Sequence, residues 1–144
     1  MMNPLATPVP TLGLLMLDMR FPRPLGDIGN PESFGVPVRS QVVQGVWPAT
    51  VVQSVEALRA AQVQPQFVVA ARALAARGVQ AITTNCGFPV LLQDELQAAV
   101  SVPVGTSSLL ELPACLEREP QVGVPTISAE NLPAIPGELR KRPP

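Results

Sequence analysis

The residue whose type and position best suit it to chemistry is Cys86, in the segment Ala81-Ile82-Thr83-Thr84-Asn85-Cys86-Gly87-Phe88-Pro89. The pattern predicts that this thiol lies where a buried strand ends and a helix begins. The helix dipole and the unpaired backbone N–H groups at such a position favour thiolate over thiol. The sequence contains no histidine and no tyrosine, and its one lysine is Lys141, near the carboxyl terminus. Cys86 is therefore the leading candidate to accept and donate protons near neutral pH.

Small residues at the predicted ends of the strands could bind a substrate carboxylate beside this thiol, through polar side chains or backbone N–H groups. The predicted substrate-binding residues are Asp18, Thr84, Asn85, Gly87, Thr106 and Ser107. Hydroxyls and backbone N–H groups at a helix N-terminus attract anions. Such donors would also stabilise the negative charge that develops when a proton leaves the carbon next to a carboxylate. The pattern thus predicts proton transfer at a carbon adjacent to a bound carboxylate.

Each of these residues also has a purely structural interpretation. Free cysteine is among the most buried residue types, so the position of Cys86 alone fits a core residue about equally well. In isolation, Thr106-Ser107-Ser108 is more typical of a plain helix cap. Asp18 fits an ordinary turn as well as a ligand-binding loop. Cys115 is expected inside the last helix, in the core and away from the strand ends.

The composition predicts one globular domain and excludes several classes of partner. Apolar residues make up 47% of the 144 residues, charged residues only 15%, and the net charge is −1. A nucleic-acid surface requires clustered basic residues, which occur here only in the last five positions. The apolar run Leu12–Leu17 is too short for a membrane span or a signal sequence. Two cysteines match neither a disulfide framework nor a metal motif. We therefore expect a soluble, cytoplasmic protein without a metal site.

Apolar runs and periodicities predict alternating strands and helices. The predicted strands are Leu12–Leu17, Val38–Val43, Val79–Thr84, Val102–Gly105 and, as a fifth, Val122–Ile127. The predicted helices are Thr50–Ala61, Gln66–Arg77 with Gly78 as its cap, Phe88–Val100, and one that opens with the capping box at Ser108. This order is typical of an α/β fold. It predicts a mainly parallel sheet of four to five strands with helices on both faces, and ligands bound at the carboxyl ends of the strands.

The end of the chain differs in composition from the rest. Residues 120–144 contain six of the 18 prolines and end in a basic, proline-rich sequence. Proline interrupts both helices and central strands, so we expect most of this tail to be disordered. The sequence therefore divides into an α/β domain at residues 1–119 and an aberrant segment at residues 120–144.

Several blocks of the chain, in this order, resemble a branch of the aspartate/glutamate racemase superfamily. The blocks are Gly13–Pro31, Ile82–Gly87, Gln93–Leu96 and Val102–Leu110. The resemblance covers roughly residues 11 to 116 and implies one half of a two-domain α/β enzyme. It further implies an amino-acid racemase or epimerase, an isomerase that needs no cofactor and in which each half supplies one cysteine for transfer of the α-proton. Cys86 then corresponds to the cysteine of the first half.

The resemblance ends where a second half would begin. Gln121-Val122-Gly123-Val124 looks like the first strand of that half, but no second catalytic cysteine follows. The sequence therefore predicts a truncated chain that is weakly active or inactive on its own. The alternative is a non-catalytic half-domain that binds a small carboxylate or nothing. The expected partner is a small carboxylate or an amino acid, not nucleic acid or a membrane, and homo-oligomer formation is left open.

Overall fold

The computed structural model describes residues 9–51, 61–127 and 129–130. In this part of the chain, four parallel strands form one sheet in the order β2-β1-β3-β4. They are β1 (Leu12–Leu17), β2 (Val38–Val43), β3 (Ala81–Thr84) and β4 (Val104–Gly105). The α-helices are α1 (Pro48–Val51), α2 (Gln64–Ala76), α3 (Gln93–Ala99) and α4 (Leu112–Arg118). The predicted α/β class with a parallel sheet is confirmed.

Strand β1 lies in the middle of the sheet because both of its faces are apolar. Successive side chains of a strand point to opposite faces. Leu15 and Leu17 belong to the main hydrophobic core, and Leu14 and Met16 are buried on the opposite face. A continuous apolar run is what a strand covered on both sides requires. The predicted bounds of β1 and of β2 agree with the structure.

Helix α2 covers one face of the sheet and supplies much of the core. Phe67, Ala70, Ala71 and Leu74 are buried in it at helical spacing. The helix ends at Ala76, and Gly78 follows with φ of 77°, a left-handed conformation that glycine adopts without strain. Leu92, Leu96 of α3 and Val104 of β4 extend the same hydrophobic core toward the β4 edge of the sheet.

Close packing between helix and sheet explains the glycine at the second position of β1. A Cβ atom at Gly13 would lie 3.0 Å from Cγ2 of Val79 and 3.2 Å from Cδ1 of Leu74. Both distances are tighter than ordinary van der Waals contact, so a side chain here would push the helix and the strand apart. The absence of a side chain thus lets α2 approach the sheet.

The helices that follow β3 and β4 both begin with a 3₁₀ turn. Residues Phe88–Leu92 form the first 3₁₀ helix, which continues directly into α3. Residues Ser108–Glu111 form the second, which continues into α4. The continuous helix predicted over Phe88–Val100 is therefore divided. Ser107, not Ser108, caps the second turn, because its hydroxyl accepts a hydrogen bond from the N–H of Leu109 at 3.1 Å.

The predicted fifth strand does not form. Residues 120–126 have no regular secondary structure and lie outside the sheet. The predicted helix over Thr50–Ala61 and the tail after Glu130 fall mostly or wholly outside the described residues. Within the described part of the chain, no helix has the length and apolar character needed to cross a membrane.

The loop between β1 and β2 is organised around the carboxylate of Asp27. Oδ1 of Asp27 accepts hydrogen bonds from Nη1 of Arg23 at 2.8 Å and from the N–H of Gly29 at 2.6 Å. The bond from Arg23, and then that from Gly29, hold the pKa of the Asp27 carboxyl below its ordinary value. The guanidinium of Arg23 also lies 4.2 Å from the ring centre of Phe21. These contacts, together with a 3₁₀ turn at Pro31–Ser33, give the loop a defined conformation.

Candidate functional site

The carboxyl ends of β3 and β4 bring two short loops side by side. Thr83 pairs with Gly105 across the two strands, and the hydroxyl of Thr83 donates to the carbonyl of Gly105 at 2.8 Å. Residues 85–87 follow β3 and residues 106–107 follow β4. The two loops are in contact, because a Cβ atom at Gly87 would lie 3.4 Å from Oγ of Ser107. Register in the sheet therefore fixes the relative position of the predicted site residues.

A cavity of about 640 Å³ lies over these two loops. Cavities of roughly 300–1,000 Å³ are typical of sites for small molecules. The lining residues come from the ends of both strands, from the start of α4 and from the segment after it: Asn85, Cys86, Gly87, Phe88, Ser107, Ser108, Leu109, Leu112, Cys115 and residues 122–127. None of these described lining residues carries a charged side chain. Four of the predicted site residues, namely Asn85, Cys86, Gly87 and Ser107, are among them.

Cys86 is half-buried and packs against both hydrophobic clusters of the domain. Burial raises the pKa of the Cys86 thiol above its ordinary value, while hydrogen bonds from the backbone N–H groups of Phe88 and Gly87 oppose this effect. This direction is opposite to the expectation that the helix start lowers the pKa of the Cys86 thiol. The N–H donors are present, but desolvation of the thiolate is the larger effect.

The raised pKa of Cys86 predicts a shifted pH dependence of its alkylation. Only the thiolate reacts with iodoacetamide, so the rate follows the thiolate fraction. In the Cys115→Ser variant, the rate should rise with pH and reach its midpoint above that of N-acetylcysteinamide, an uncharged cysteine reference, measured in the same buffers. Mass spectrometry of the peptide that contains Cys86 gives the rate. A midpoint below that of N-acetylcysteinamide would contradict the dominance of burial at this sulfur.

Asn85 has one side of its amide fixed and the other free. Its Oδ1 accepts a hydrogen bond from the N–H of Leu17 in β1 at 3.0 Å, and its own N–H donates to the carbonyl of Leu15 at 3.0 Å. The Nδ2 group has no hydrogen-bond partner among the described residues. Because Leu17 determines which end of the amide is the acceptor, Asn85 can offer two N–H donors to a ligand in the cavity.

Ser107 supplies a second polar group from the adjacent loop. Its Oγ accepts the capping bond from the N–H of Leu109, and a hydroxyl that accepts can still donate its own proton. Ser107 is half-buried and lines the cavity. Together, Asn85 and Ser107 form a pair of uncharged donors on the side of the cavity where Cys86 lies.

Thr84 and Thr106 are not brought to the cavity. Their exposed fractions are 3% and 0%, and both hydroxyls are bonded inside the protein. Oγ1 of Thr84 lies 2.7 Å from the carbonyl oxygen of Thr106 and 2.5 Å from that of Cys86. Oγ1 of Thr106 donates to Oε1 of Gln93 at 2.7 Å. The role of these two threonines in binding substrate stays a prediction. In the structure, their hydrogen bonds connect the two loops.

Asp18 is likewise held away from the cavity. Its Oδ2 accepts a hydrogen bond from the N–H of Gly45 at 2.9 Å, and its own N–H donates to the carbonyl of Val46 at 2.8 Å. Gly45 has φ of 73° in the turn that follows β2. These contacts agree with the turn interpretation of Asp18, and its role in ligand binding stays a prediction.

The expected position of Cys115 is wrong. It lies on α4 as expected, but it is half-buried and lines the same cavity as Cys86. Leu112 also lines the cavity, three positions earlier on the same helix. That spacing puts both residues on one face of α4, a signal that the sequence contained. The segment at residues 122–127 had no comparable signal, because its contribution depends on where the chain turns after α4.

Metal binding has no support in the described residues. No group of three or more histidine, cysteine, aspartate or glutamate side chains among them is placed to hold an ion. The cavity is lined by two thiols, by the uncharged polar side chains of Asn85, Ser107, Ser108 and Thr126, and by several apolar side chains. Such a lining can combine hydrogen bonds and apolar contact around a small molecule.

Comparison with curated proteins gives matches to one kind of enzyme. The chain is 37% identical over 105 residues to dimethylsulfoniopropionate lyase 7 of Emiliania huxleyi (strain CCMP1516), an alignment that covers 73% of this chain and 30% of that protein. It is 35% identical over 126 residues to dimethylsulfoniopropionate lyase 3 of the same organism, covering 85% of this chain and 32% of the relative. It is 36% identical over 105 residues to the dimethylsulfoniopropionate lyase of Durusdinium sp. clade D, covering 72% and 34%.

The chain spans about one third of the length of these curated relatives. No protein-family model matches it, and no solved structure matches it significantly.

These matches correct the functional assignment made from sequence. The relatives carry the name of a lyase, and the predicted aspartate/glutamate racemase family is wrong, as are the racemase, epimerase and isomerase activities that it implied. The reason is chemical. A thiol beside a carboxylate site indicates that a proton is removed next to the carboxylate, but it does not indicate what happens to the carbon afterwards.

Proposed function

We propose that this chain cleaves dimethylsulfoniopropionate, with the Cys86 thiolate as the base. The observation that carries this proposal is the half-buried thiol in the same uncharged cavity as the free amide donors of Asn85. The relatives named dimethylsulfoniopropionate lyase support the choice of substrate. Since the chain spans only part of those relatives, activity of this chain by itself is part of what we propose.

The reaction is an elimination. The Cys86 thiolate takes a proton from the carbon next to the carboxylate, and the electron pair of that C–H bond forms a double bond to the next carbon. The bond from that carbon to the sulfonium sulfur breaks, and its electron pair stays on sulfur. The products are acrylate and dimethyl sulfide, and Cys86 is left as a neutral thiol that returns its proton to water. No electrons are gained or lost overall, so no oxidant or reductant is needed.

Asn85 and Ser107 would hold the carboxylate. As the proton leaves, negative charge spreads from the carbon onto the carboxylate oxygens. Hydrogen bonds from Nδ2 of Asn85 and from the hydroxyl of Ser107 to the carboxylate would become stronger as this charge develops. They would therefore stabilise the transition state more than the bound substrate and lower the barrier. Asn85 is preorganised for this role because the N–H of Leu17 holds its Oδ1.

The sulfonium group suits the remaining, apolar part of the cavity. It is a cation that donates no hydrogen bonds, so it needs no polar partner, and the ring of Phe88 in the lining offers a cation–π partner. Its positive charge near Cys86 would favour the thiolate, while the carboxylate of the same substrate would act in the opposite direction. Hydrogen bonds from Asn85 and Ser107 to that carboxylate would reduce the opposing effect.

The test is direct detection of both products. Purified chain is incubated with dimethylsulfoniopropionate in a sealed vial, dimethyl sulfide in the headspace is measured by gas chromatography, and acrylate in solution is measured by liquid chromatography. Equal amounts of the two, formed in proportion to enzyme concentration and above the rate in buffer alone, are the expected result. No product above the buffer rate over the neutral to alkaline range would refute the proposal for this chain.

A further inference from the structure

The amide of Gln93 is hydrogen-bonded at both ends to the chain around the end of β4. Nε2 donates to the carbonyl of Val104 at 2.6 Å. Oε1 accepts from the N–H of Thr106 at 3.0 Å and from the hydroxyl of Thr106 at 2.7 Å. One side chain at the start of α3 thus fixes the path of the backbone from β4 into the loop that carries Ser107.

Thr106 passes this constraint to the loop that carries the thiol. Its carbonyl oxygen lies 2.7 Å from Oγ1 of Thr84. The same Thr84 oxygen also contacts the backbone carbonyl and the backbone N–H of Cys86. It lies 2.5 Å from the carbonyl oxygen of Cys86, and it accepts the N–H of Cys86 at 3.4 Å. A continuous series of hydrogen bonds therefore runs from Gln93 through Thr106 and Thr84 to the backbone of Cys86.

Burial makes this series an effective constraint. Thr84 and Thr106 are almost completely removed from solvent, so water cannot readily replace a partner that is lost. A buried network of hydrogen bonds favours the one arrangement in which its members keep their partners. The arrangement selected here is the one in which Cys86 and Ser107 face the same cavity.

We propose that Gln93 is a positioning residue for the Cys86 thiol and acts on it through Thr106 and Thr84. The inference rests on the proposed function, in which Cys86 is the base. Gln93 does not line the cavity, so it acts without touching substrate. Its effect is to hold the peptide at Cys86 in the orientation that proton transfer requires, because small misplacements of a reacting group have large kinetic effects.

The chain provides a matched control one turn further along α3. Gln97 also bonds the backbone around β4, with Nε2 donating to the carbonyl of Val102 at 3.1 Å and Oε1 accepting the N–H of Val104 at 2.9 Å. Neither the carbonyl of Val102 nor the N–H of Val104 belongs to the series that reaches Cys86, although the carbonyl of Val104 is a partner of Gln93. Gln97→Met and Gln93→Met remove similar hydrogen bonds to the backbone around β4. Only Gln93→Met breaks the series of hydrogen bonds that reaches Cys86.

The experiment compares these two variants with the parent in two independent assays. For Gln93→Met we expect kcat for dimethylsulfoniopropionate cleavage to fall about 10- to 100-fold with KM nearly unchanged, as expected for a misplaced base. For Gln97→Met we expect both constants to stay at parent values.

The second assay reads the thiol without any substrate. In a Cys115→Ser background, the pH midpoint of Cys86 alkylation by iodoacetamide should rise by about half a unit in Gln93→Met, because a displaced peptide weakens the N–H bonds that favour thiolate. It should not move in Gln97→Met. This readout stays informative if the parent does not cleave dimethylsulfoniopropionate, so failure of the proposed function and failure of this inference are distinguishable.

Two outcomes overturn the inference. One is equal change in both assays for Gln93→Met and Gln97→Met, which would mean a structural role only. The other is an alkylation profile of folded Gln93→Met that matches the parent. If Gln93→Met does not fold, Thr84→Val takes its place, because it keeps a branched side chain of similar size and removes the hydroxyl through which the series reaches Cys86. An unchanged alkylation profile in that variant overturns the inference equally.

Discussion

Replacement of Cys86 by serine should reduce the rate of dimethylsulfoniopropionate cleavage by about 10³-fold, within the range of roughly 10²–10⁴ that a general base contributes. A hydroxyl holds its proton far more tightly than a thiol, and the described part of the cavity contains no carboxylate or amine that could take over. The volume of the side chain changes little, so the fold should be retained. Product formation in the headspace assay gives the rate, and circular dichroism verifies the fold.

Cys115→Ser is the matched control, because Cys115 is the other thiol in the same cavity. It should keep most of the cleavage rate, since the proposed elimination uses one base. A Cys86→Ser variant that retains more than about one tenth of the parent rate would exclude Cys86 as the base, because a general base is expected to contribute at least about 100-fold. Loss of activity in Cys115→Ser, with activity retained in Cys86→Ser, would identify Cys115 on α4 as the base instead.

The second large effect concerns stability and Phe67. Phe67→Ala should lower the free energy of unfolding by about 3–5 kcal/mol, the usual cost of truncating a buried aromatic residue to alanine. Phe67 is 1% exposed and belongs to the core between α2 and the sheet. Truncation leaves a cavity there that the backbone cannot close without moving the helix. Urea unfolding followed by circular dichroism gives the difference.

Val69, two positions along the same helix, is 67% exposed and serves as the control. Val69→Ala should change stability by less than about 0.5 kcal/mol, as is usual for surface substitutions. Similar losses in both variants would mean that α2 does not pack against the sheet as described here. A loss below about 1 kcal/mol for Phe67→Ala would mean the same, since it is less than the transfer free energy of the ring alone.

The sequence was sufficient for much of the fold because the strands are apolar runs of the right length. Leu12–Leu17 and Val38–Val43 were predicted with the bounds that the structure shows. The 3₁₀ turns before α3 and α4 were missed, because side-chain periodicity over four or five residues does not distinguish 3₁₀ from α-helix. The strand predicted at Val122–Ile127 does not form, since an apolar run becomes a strand only if it lies against an open edge of the sheet.

The site was partly predictable for a similar reason. Parallel strands end at one edge of the sheet, so polar residues after β3 and β4 had to meet, and Asn85, Cys86, Gly87 and Ser107 do line one cavity. Gln93 could not be identified as part of the site, since a single glutamine amide can bond to almost any backbone group. The proposed elimination could not be derived from the sequence either, because the leaving group belongs to the substrate and leaves no pattern in the chain.

Residues 122–127 line the cavity while lying outside the sheet. This wall of the cavity thus lies in a different part of the chain from the strand ends that carry Cys86, Asn85 and Ser107. Under the proposed elimination, a change in the length or bulk of residues 122–127 would alter the size of the compounds admitted without replacing the thiol or its donors.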